Sequence, residues 1–240
     1  MANRNFSAFD APDFTAYSAQ HYAAIGLSLL MVLLLYGFRR SLKDERRKRI
    51  IRGILAGTLI VCELSLNVWY LSENVYSAAD TLPLELCSIS LYVAVIMLLT
   101  NNRRLFPFVY FAGISGALQA ILTPALDYGF PHYRYLEFFI AHLVIILSAL
   151  YMVWVEGIRP TLRSMFAAFG WLNALLVPVG LVNRLSGGNY MFISRKPETA
   201  SLLDVLGPYP WYLLSLEAVA LLLFGLLYVP FAFRKRDTTE

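Results

Sequence analysis

Seven apolar runs, each close to the length that crosses a hydrocarbon layer, leave this chain little choice of fold. They fall at about residues 22–38, 50–71, 83–99, 105–122, 135–155, 162–182 and 210–233. A bilayer core of roughly 30 Å takes about 20 residues of helix. Inside it every backbone N–H and C=O must be satisfied within the segment. The expected fold is therefore all-α: one polytopic membrane helix bundle over residues 1–240 with about seven transmembrane helices. Only 15% of the residues are charged and 58% are hydrophobic, far from the balance of a soluble domain.

The breaks between runs hold the punctuation and the charge. Cytoplasmic loops retain Lys and Arg. With the amino terminus outside, the loops then facing inward hold fifteen of the twenty basic residues, eight of them between Arg39 and Arg52. This bias predicts amino terminus out, carboxyl terminus cytoplasmic and an odd number of spans. Asp10 and Asp13 precede the first run and the basic block follows it, so it reads as a retained helix rather than a cleaved signal. The basic block reads as a topology determinant or, in addition, as a site for anionic head groups. No nucleic-acid motif accompanies it. Cys62 and Cys87 lie in different runs at different depths, so both are expected as free thiols.

Polar groups inside the runs carry the functional signal, because an ionisable side chain in hydrocarbon costs roughly 2.5 to 3.5 kcal/mol and needs a partner or a watery cavity. Glu63 and Asn67, Glu85 and Cys87, Gln119, Glu137 and His142, and Glu217 all fall in the outer half of their spans. Asn173 lies near mid-depth. The inner half is nearly bare, which argues against a full-thickness ion pathway and for a cavity open to the outer side. Glu63 and Asn67 are i, i+4 and share a helix face. Glu85 and Cys87 stand about 200° apart on a regular helix, so they do not aim at one spot.

Cys87 lies roughly 6 Å into its helix and His142 roughly 10 Å into its own, levels compatible with contact. An imidazole that takes a thiol proton makes a nucleophile for acyl carbon. The plainer readings stay open: Cys87 as a small packed hydrophobe, His142 as an inter-helix hydrogen bonder, and Glu85, Glu137 and Glu217 as neutral or paired structural groups. His132, in "FPHYRY", reads as interfacial. No spacing supports a metal site, and there is no phosphate-binding glycine loop or GxSxG elbow.

The segment 184–209 is too long for a hairpin between adjacent spans and reads as a lid, with Asn189 and Tyr190 of "SGGNYMF" offered to the cavity. Its aromatic residues would also serve as interfacial anchors.

The blocks "LPLELC", "YFAGISGALQAILTP", "FPHYRYLEFFIAHLVII", "NYMFISRKP" and "SLLDVLGPYPWY" resemble the bacterial YwaF-type integral membrane family over most of the chain. That family looks distantly similar to eukaryotic transmembrane protein 164 acyltransferases, which use a cysteine and a histidine. More remotely it resembles the androgen-induced-type lipid hydrolases, which use a threonine and a histidine. The resemblance implies Cys87 as nucleophile and His142 as base, acting on lipid or fatty-acyl substrates in a bacterial cell membrane. Many YwaF-like chains are expected to carry His where this one has Glu85. The expected function is a lipid acyltransferase or lipid ester hydrolase that needs no cofactor, with Asn67, Gln119 or Asn189 as amides near the oxyanion. The alternative is a membrane protein that binds or transports a small amphiphile without breaking bonds. A third reading is purely structural, with the polar groups holding an assembly partner. Oligomeric state is not legible.

Overall fold

The computed structural model describes residues 4–196 and 205–233. The basic residues Arg234, Lys235 and Arg236 and the stretch 197–204 of the expected lid lie outside the described residues. Among the described residues, seven principal helices stand where the apolar runs fall: α1 Ala19–Phe38, α2 Glu45–Ser72, α3 Leu86–Thr100, α4 Phe106–Leu122, α5 Tyr133–Trp154, α6 Leu162–Ser186 and α7 Trp211–Ala232. Five of them, α1, α2, α5, α6 and α7, are long and apolar enough to cross a membrane. The other two, α3 and α4, are apolar but shorter.

Local chemistry sets the ends. Asp44 caps α2 by accepting from the Arg47 N–H, and Thr161 with Ser164 closes a reciprocal capping box on α6. Asn101 (φ 52°) ends α3 and Gly187 (φ 75°) ends α6 in the left-handed conformation. The third run starts later than its apolar residues predict. Pro83 disfavours helical backbone at the residue before it, and Glu85 is extended (φ −68°, ψ 150°) as the N-cap. Its side chain is thereby aimed away from the helix that Cys87 belongs to. Within α4 the residues Val109–Gly113 form a π turn. Such an extra residue rotates the remainder of the helix by about 100°, and these bulges recur at functional sites.

The bundle is built around α5. Of its apolar window 61% is buried, against 6% for α1 and 11% for α7, which lie at the periphery. The core is the seam of α3, α4 and α5, where Ala94, Phe111, Ala112, Tyr151 and Met152 are fully buried. The two ends of the bundle differ. At the basic end, Lys48 and Arg52 converge on Glu156 at 3.8 and 3.6 Å, and the Tyr151 hydroxyl donates to the same carboxylate at 3.0 Å. Two residues of the basic block are thus committed to a buried acid.

The opposite, loop-rich end is strapped by the amino-terminal segment. The Tyr133 N–H donates to Asn5 O at 2.7 Å, Trp69 Nε1 to Phe6 O at 2.7 Å, and the Ala8 N–H to Glu73 at 3.0 Å. Asp13 and Tyr128 form an antiparallel bridge. His132 joins the strap to α5: Nδ1 accepts from the Arg134 N–H at 3.1 Å as N-cap, while Nε2 donates to Ser7 O at 3.2 Å. Its ring stacks on Tyr128 at 4.5 Å. Read from the sequence as interfacial, it is instead fully buried.

Burial pushes the His132 pKa below its ordinary 6.5, and Arg134 pushes the same way, against the Ser7 hydrogen bond and Glu73. The neutral ring is therefore the folded form, and the unfolded chain takes up the extra proton first. The His132 contribution is present above about pH 6.5 and is lost as pH falls through the lower folded value. Thermal stability in detergent is expected to drop between pH 7 and pH 5. His132→Asn keeps a cap acceptor without a titrating ring, so it should flatten that dependence; an unchanged slope would refute the assignment.

Candidate functional site

The polar residues singled out in the sequence separate into two groups on opposite sides of the α3–α4 seam. On the first side the i, i+4 pair is realised: Asn67 Nδ2 donates to Glu63 Oε1 at 3.0 Å and to Glu63 O at 2.8 Å. The Tyr92 hydroxyl of α3 donates to the same Glu63 oxygen at 2.7 Å. Glu137 of α5 is buried and ion-paired with Arg134, one turn away on the same helix. The Arg134 guanidinium stands 5.8 Å from the Trp69 ring and 5.6 Å from the Tyr70 ring. Asn67 and Glu63 thus satisfy each other, and this cluster ties α2 to α3.

The second group rims a cavity of about 500 Å³ bounded by α3, α4, α6, α7 and the segment after α6. Glu85, Gln119, Asn173 and Glu217 supply its polar points, and Leu86, Leu172, Leu176, Leu213 and Ala220 are among its apolar walls. Asn173 Nδ2 donates to Glu217 at 2.9 Å across the α6–α7 interface. Gln119 spends its amide N–H on Thr123. The mixture of a few polar tips and long apolar walls suits an amphiphile.

Met191, Phe192 and Ile193 close one wall, and the chain holds them by a dense set of bonds. Asn183 and Tyr190 exchange a reciprocal pair, Tyr190 N–H to Asn183 Oδ1 at 2.8 Å and Asn183 Nδ2 to Tyr190 O at 3.0 Å. The buried Tyr190 hydroxyl accepts from the Leu82 N–H and donates to Ala78 O, both at 2.9 Å; burial pushes its pKa up. A Cβ on Gly188 would lie 2.4 Å from Ala79 O, so only glycine passes there. Asn189 turns inward on its own loop, bonding Arg195 O and the N–H groups of Ser194 and Arg195. Asn189 and Tyr190 therefore build the wall rather than line the cavity.

Glu85 is the latch. Its carboxylate accepts the Met191 N–H at 3.0 Å, and Met191 (φ 57°) and Phe192 (φ 52°) are both left-handed. Non-glycine residues in that conformation cost roughly 1 kcal/mol or more each, so the bond to a carboxylate offsets local strain. Glu85→Ala is expected to raise hydrogen exchange at the Met191 amide by about tenfold or more while Tyr190 stays protected. Equal protection in both proteins would show that the latch is idle.

Cys87 lies on the seam between these groups, half-buried, and is a free thiol like Cys62. A Cβ on Gly116 would stand 3.4 Å from Cys87 Sγ. One turn toward the basic end the same seam recurs: a Cβ on Gly113 would lie 3.5 Å from Ser90 Cβ and 3.2 Å from Ile145 Cγ2. Ser90 follows Cys87 by three residues, Gly113 precedes Gly116 by three, and Ile145 follows His142 by three. The helical period puts Cys87 and Gly116, and on α5 His142, about one turn from that contact at similar depth, although no hydrogen bond joins Cys87 and His142. His142 Nδ1 bonds Phe138 O at 2.7 Å. A carbonyl only accepts, so Nδ1 holds the proton and Nε2 presents its lone pair.

Tyr92, Asn183 and the strap had no signature in the sequence beyond residue type. Arg134 three residues before Glu137 was a readable exception, since that spacing makes an ion pair on a helix.

The sequence model of the TMEM164 family matches residues 16–228. A protein of Treponema pallidum (strain Nichols), described as uncharacterized, is 29% identical over 226 residues, covering 91% of this chain and 90% of that protein. No solved structure matches the chain.

Proposed function

We propose, since the chain belongs to the TMEM164 family, that this membrane protein is a thiol-dependent lipid acyltransferase or lipid ester hydrolase. Cys87 is the nucleophile and His142 the base. The observation that carries the reading is the α3–α4–α5 contact of Ser90, Gly113 and Ile145, from which Cys87 and His142 each stand three residues away at similar depth, with His142 Nδ1 bonded to Phe138 O and Nε2 left to accept. The amphiphilic cavity beside Leu86 and Gln119 supports it as the entry for lipid. The finer likeness to YwaF-type proteins, the crossing of the bilayer by all seven helices, and a bacterial cell membrane with the loop-rich end outside belong to the same proposal. Five lipid-length helices, the basic end and the bacterial relative support it.

The chemistry runs in two balanced halves. His142 Nε2 takes the Cys87 proton as Sγ bonds to the acyl carbon. The ester C–O bond then breaks, and the imidazolium returns the proton to the leaving oxygen. In the second half an acceptor hydroxyl, of a lipid or of water, gives its proton to Nε2 and attacks the thioester. Sγ leaves and is reprotonated. The segment around Met191 would act as the lid that keeps bulk water from the thioester.

Purified protein treated with an alkyne-tagged N-decyl chloroacetamide tests this. Intact mass should show one adduct, absent from Cys87→Ala and at least about tenfold slower in His142→Ala. Labelling at Cys62 at an equal rate, or none at Cys87, would remove the reading and leave a binding protein for an amphiphile.

A further inference from the structure

The polar side chains around the cavity beside Leu86 and Gln119 have spent nearly all their donors and kept their acceptors. Asn173 Nδ2 uses both its protons, on Phe169 O at 3.1 Å and on Glu217 Oε2 at 2.9 Å. Gln119 Nε2 uses one on the Thr123 hydroxyl, which itself donates to Gln119 O at 3.0 Å. These partners fix which end of each amide is nitrogen, because a carbonyl or a carboxylate only accepts and the hydroxyl proton is already committed. Glu85 Oε2 takes the Met191 N–H at 3.0 Å. Four side-chain oxygens stay open, Glu85 Oε1, Gln119 Oε1, Asn173 Oδ1 and Glu217 Oε1, against one neutral N–H on Gln119.

Charge points the same way. Elsewhere in the bundle this chain answers its acids from within: Glu137 is paired with Arg134, Glu156 takes Lys48 and Arg52, and Glu63 takes two side-chain donors. Glu85 and Glu217 take one neutral donor each, and among the described residues no ion pair reaches either. An acid within a span needs a partner or a watery cavity, and both of these acids face the same cavity. The rest of its lining is largely apolar, with Leu172, Leu176, Leu213 and Ala220 among the walls. A bare inorganic cation has no use for such walls, whereas an amphiphile does. A head group carrying a negative charge would meet two carboxylates and no cationic side chain, a pairing that repels.

We infer that the cavity binds a lipid amine: a primary ammonium head without phosphate, carried on one hydrocarbon chain. The assignment rests on the reading of this cavity as an entry for lipid and is independent of Cys87. An ammonium has three donors and no acceptor, the complement of what the lining leaves open. The Glu217–Asn173 pair across α6 and α7 offers it a carboxylate oxygen and an amide oxygen side by side. Bonds from an ammonium to a carboxylate are roughly twice as strong as neutral ones, so the head group supplies the selectivity and the leucine walls hold the chain.

The test uses the full chain in a non-ionic detergent and tritiated decylamine, read by scintillation proximity and displaced by unlabelled decylamine, decanol, decyl phosphate or methylamine. Decanol and decyl phosphate should each need at least about thirtyfold more than decylamine for half-displacement, and methylamine, which lacks the chain, should not displace at all. Glu217→Gln keeps the acceptor for Asn173 and removes the charge, so it should weaken decylamine by about tenfold or more and leave decanol within about twofold. The competitor series on the unaltered chain needs no variant. Displacement by decyl phosphate or decanol as readily as by decylamine would overturn the inference and leave a general amphiphile site. Displacement by methylamine at equal concentration would overturn it in favour of a plain cation site. No saturable binding of decylamine would also overturn it, and if tritiated decanol were unbound too, the entry reading would fall with it. Selective decylamine binding by a protein whose Cys87 stays unlabelled by the chloroacetamide would remove the thiol enzyme and uphold this inference.

Discussion

Cys87→Ala is expected to abolish acyl transfer, by about 10³-fold or more, in a protein that still folds. The nucleophile forms the bond on which both halves of the reaction depend, so nothing nearby replaces it. The thiol is small and half-buried beside Gly116, and its loss should change stability by no more than about 1 kcal/mol. His142→Ala should cost about 10² to 10⁴, the range of a general base. Because the two act as one unit, the double variant should be no slower than Cys87→Ala alone. Retention of a tenth of the activity by Cys87→Ala, measured as single-turnover acyl transfer, would place the chemistry elsewhere.

Arg134→Ala should produce the largest loss of stability, roughly 3 to 5 kcal/mol. Arg134 and Glu137 retain 14% and 7% side-chain exposure. Removing the guanidinium strands a buried carboxylate and empties the space facing Trp69 and Tyr70. A loss that comes from the stranded charge is repaired by deleting the charge. Arg134→Ala combined with Glu137→Leu should therefore regain most of the stability, whereas a packing loss would persist. Chemical unfolding in mixed micelles reads both variants, and a single-variant loss under about 1 kcal/mol would show that the pair is screened by water.

What could be read from the sequence was what one helix decides alone. Apolar run lengths placed seven helices to within a few residues, and the i, i+4 rule paired Glu63 with Asn67. The 200° between Glu85 and Cys87 assumed a regular helix, whereas Glu85 is the extended N-cap and points elsewhere for that reason. Tertiary partners were beyond reach: nothing in "LELCS" says that Glu85 holds a peptide N–H about a hundred residues later. Tyr190 looked like a cavity residue because a loop aromatic beside glycines has no visible partner, yet its hydroxyl is spent on Ala78 and Leu82. The π turn in α4 left no mark either, since periodicity within "FVYFAGISG" is too uniformly apolar to show an extra residue.

The peripheral position of α1 has a consequence in time. It is fastened near its ends. His21 Nε2 bonds Ile121 O at 2.8 Å and Gln20 O accepts from Tyr135, while at the basic end Tyr36 packs edge-on against Trp154. Every one of those partners is synthesised at least about a hundred residues later. The contacts that seat α1 therefore cannot form until α4 and α5 have been synthesised.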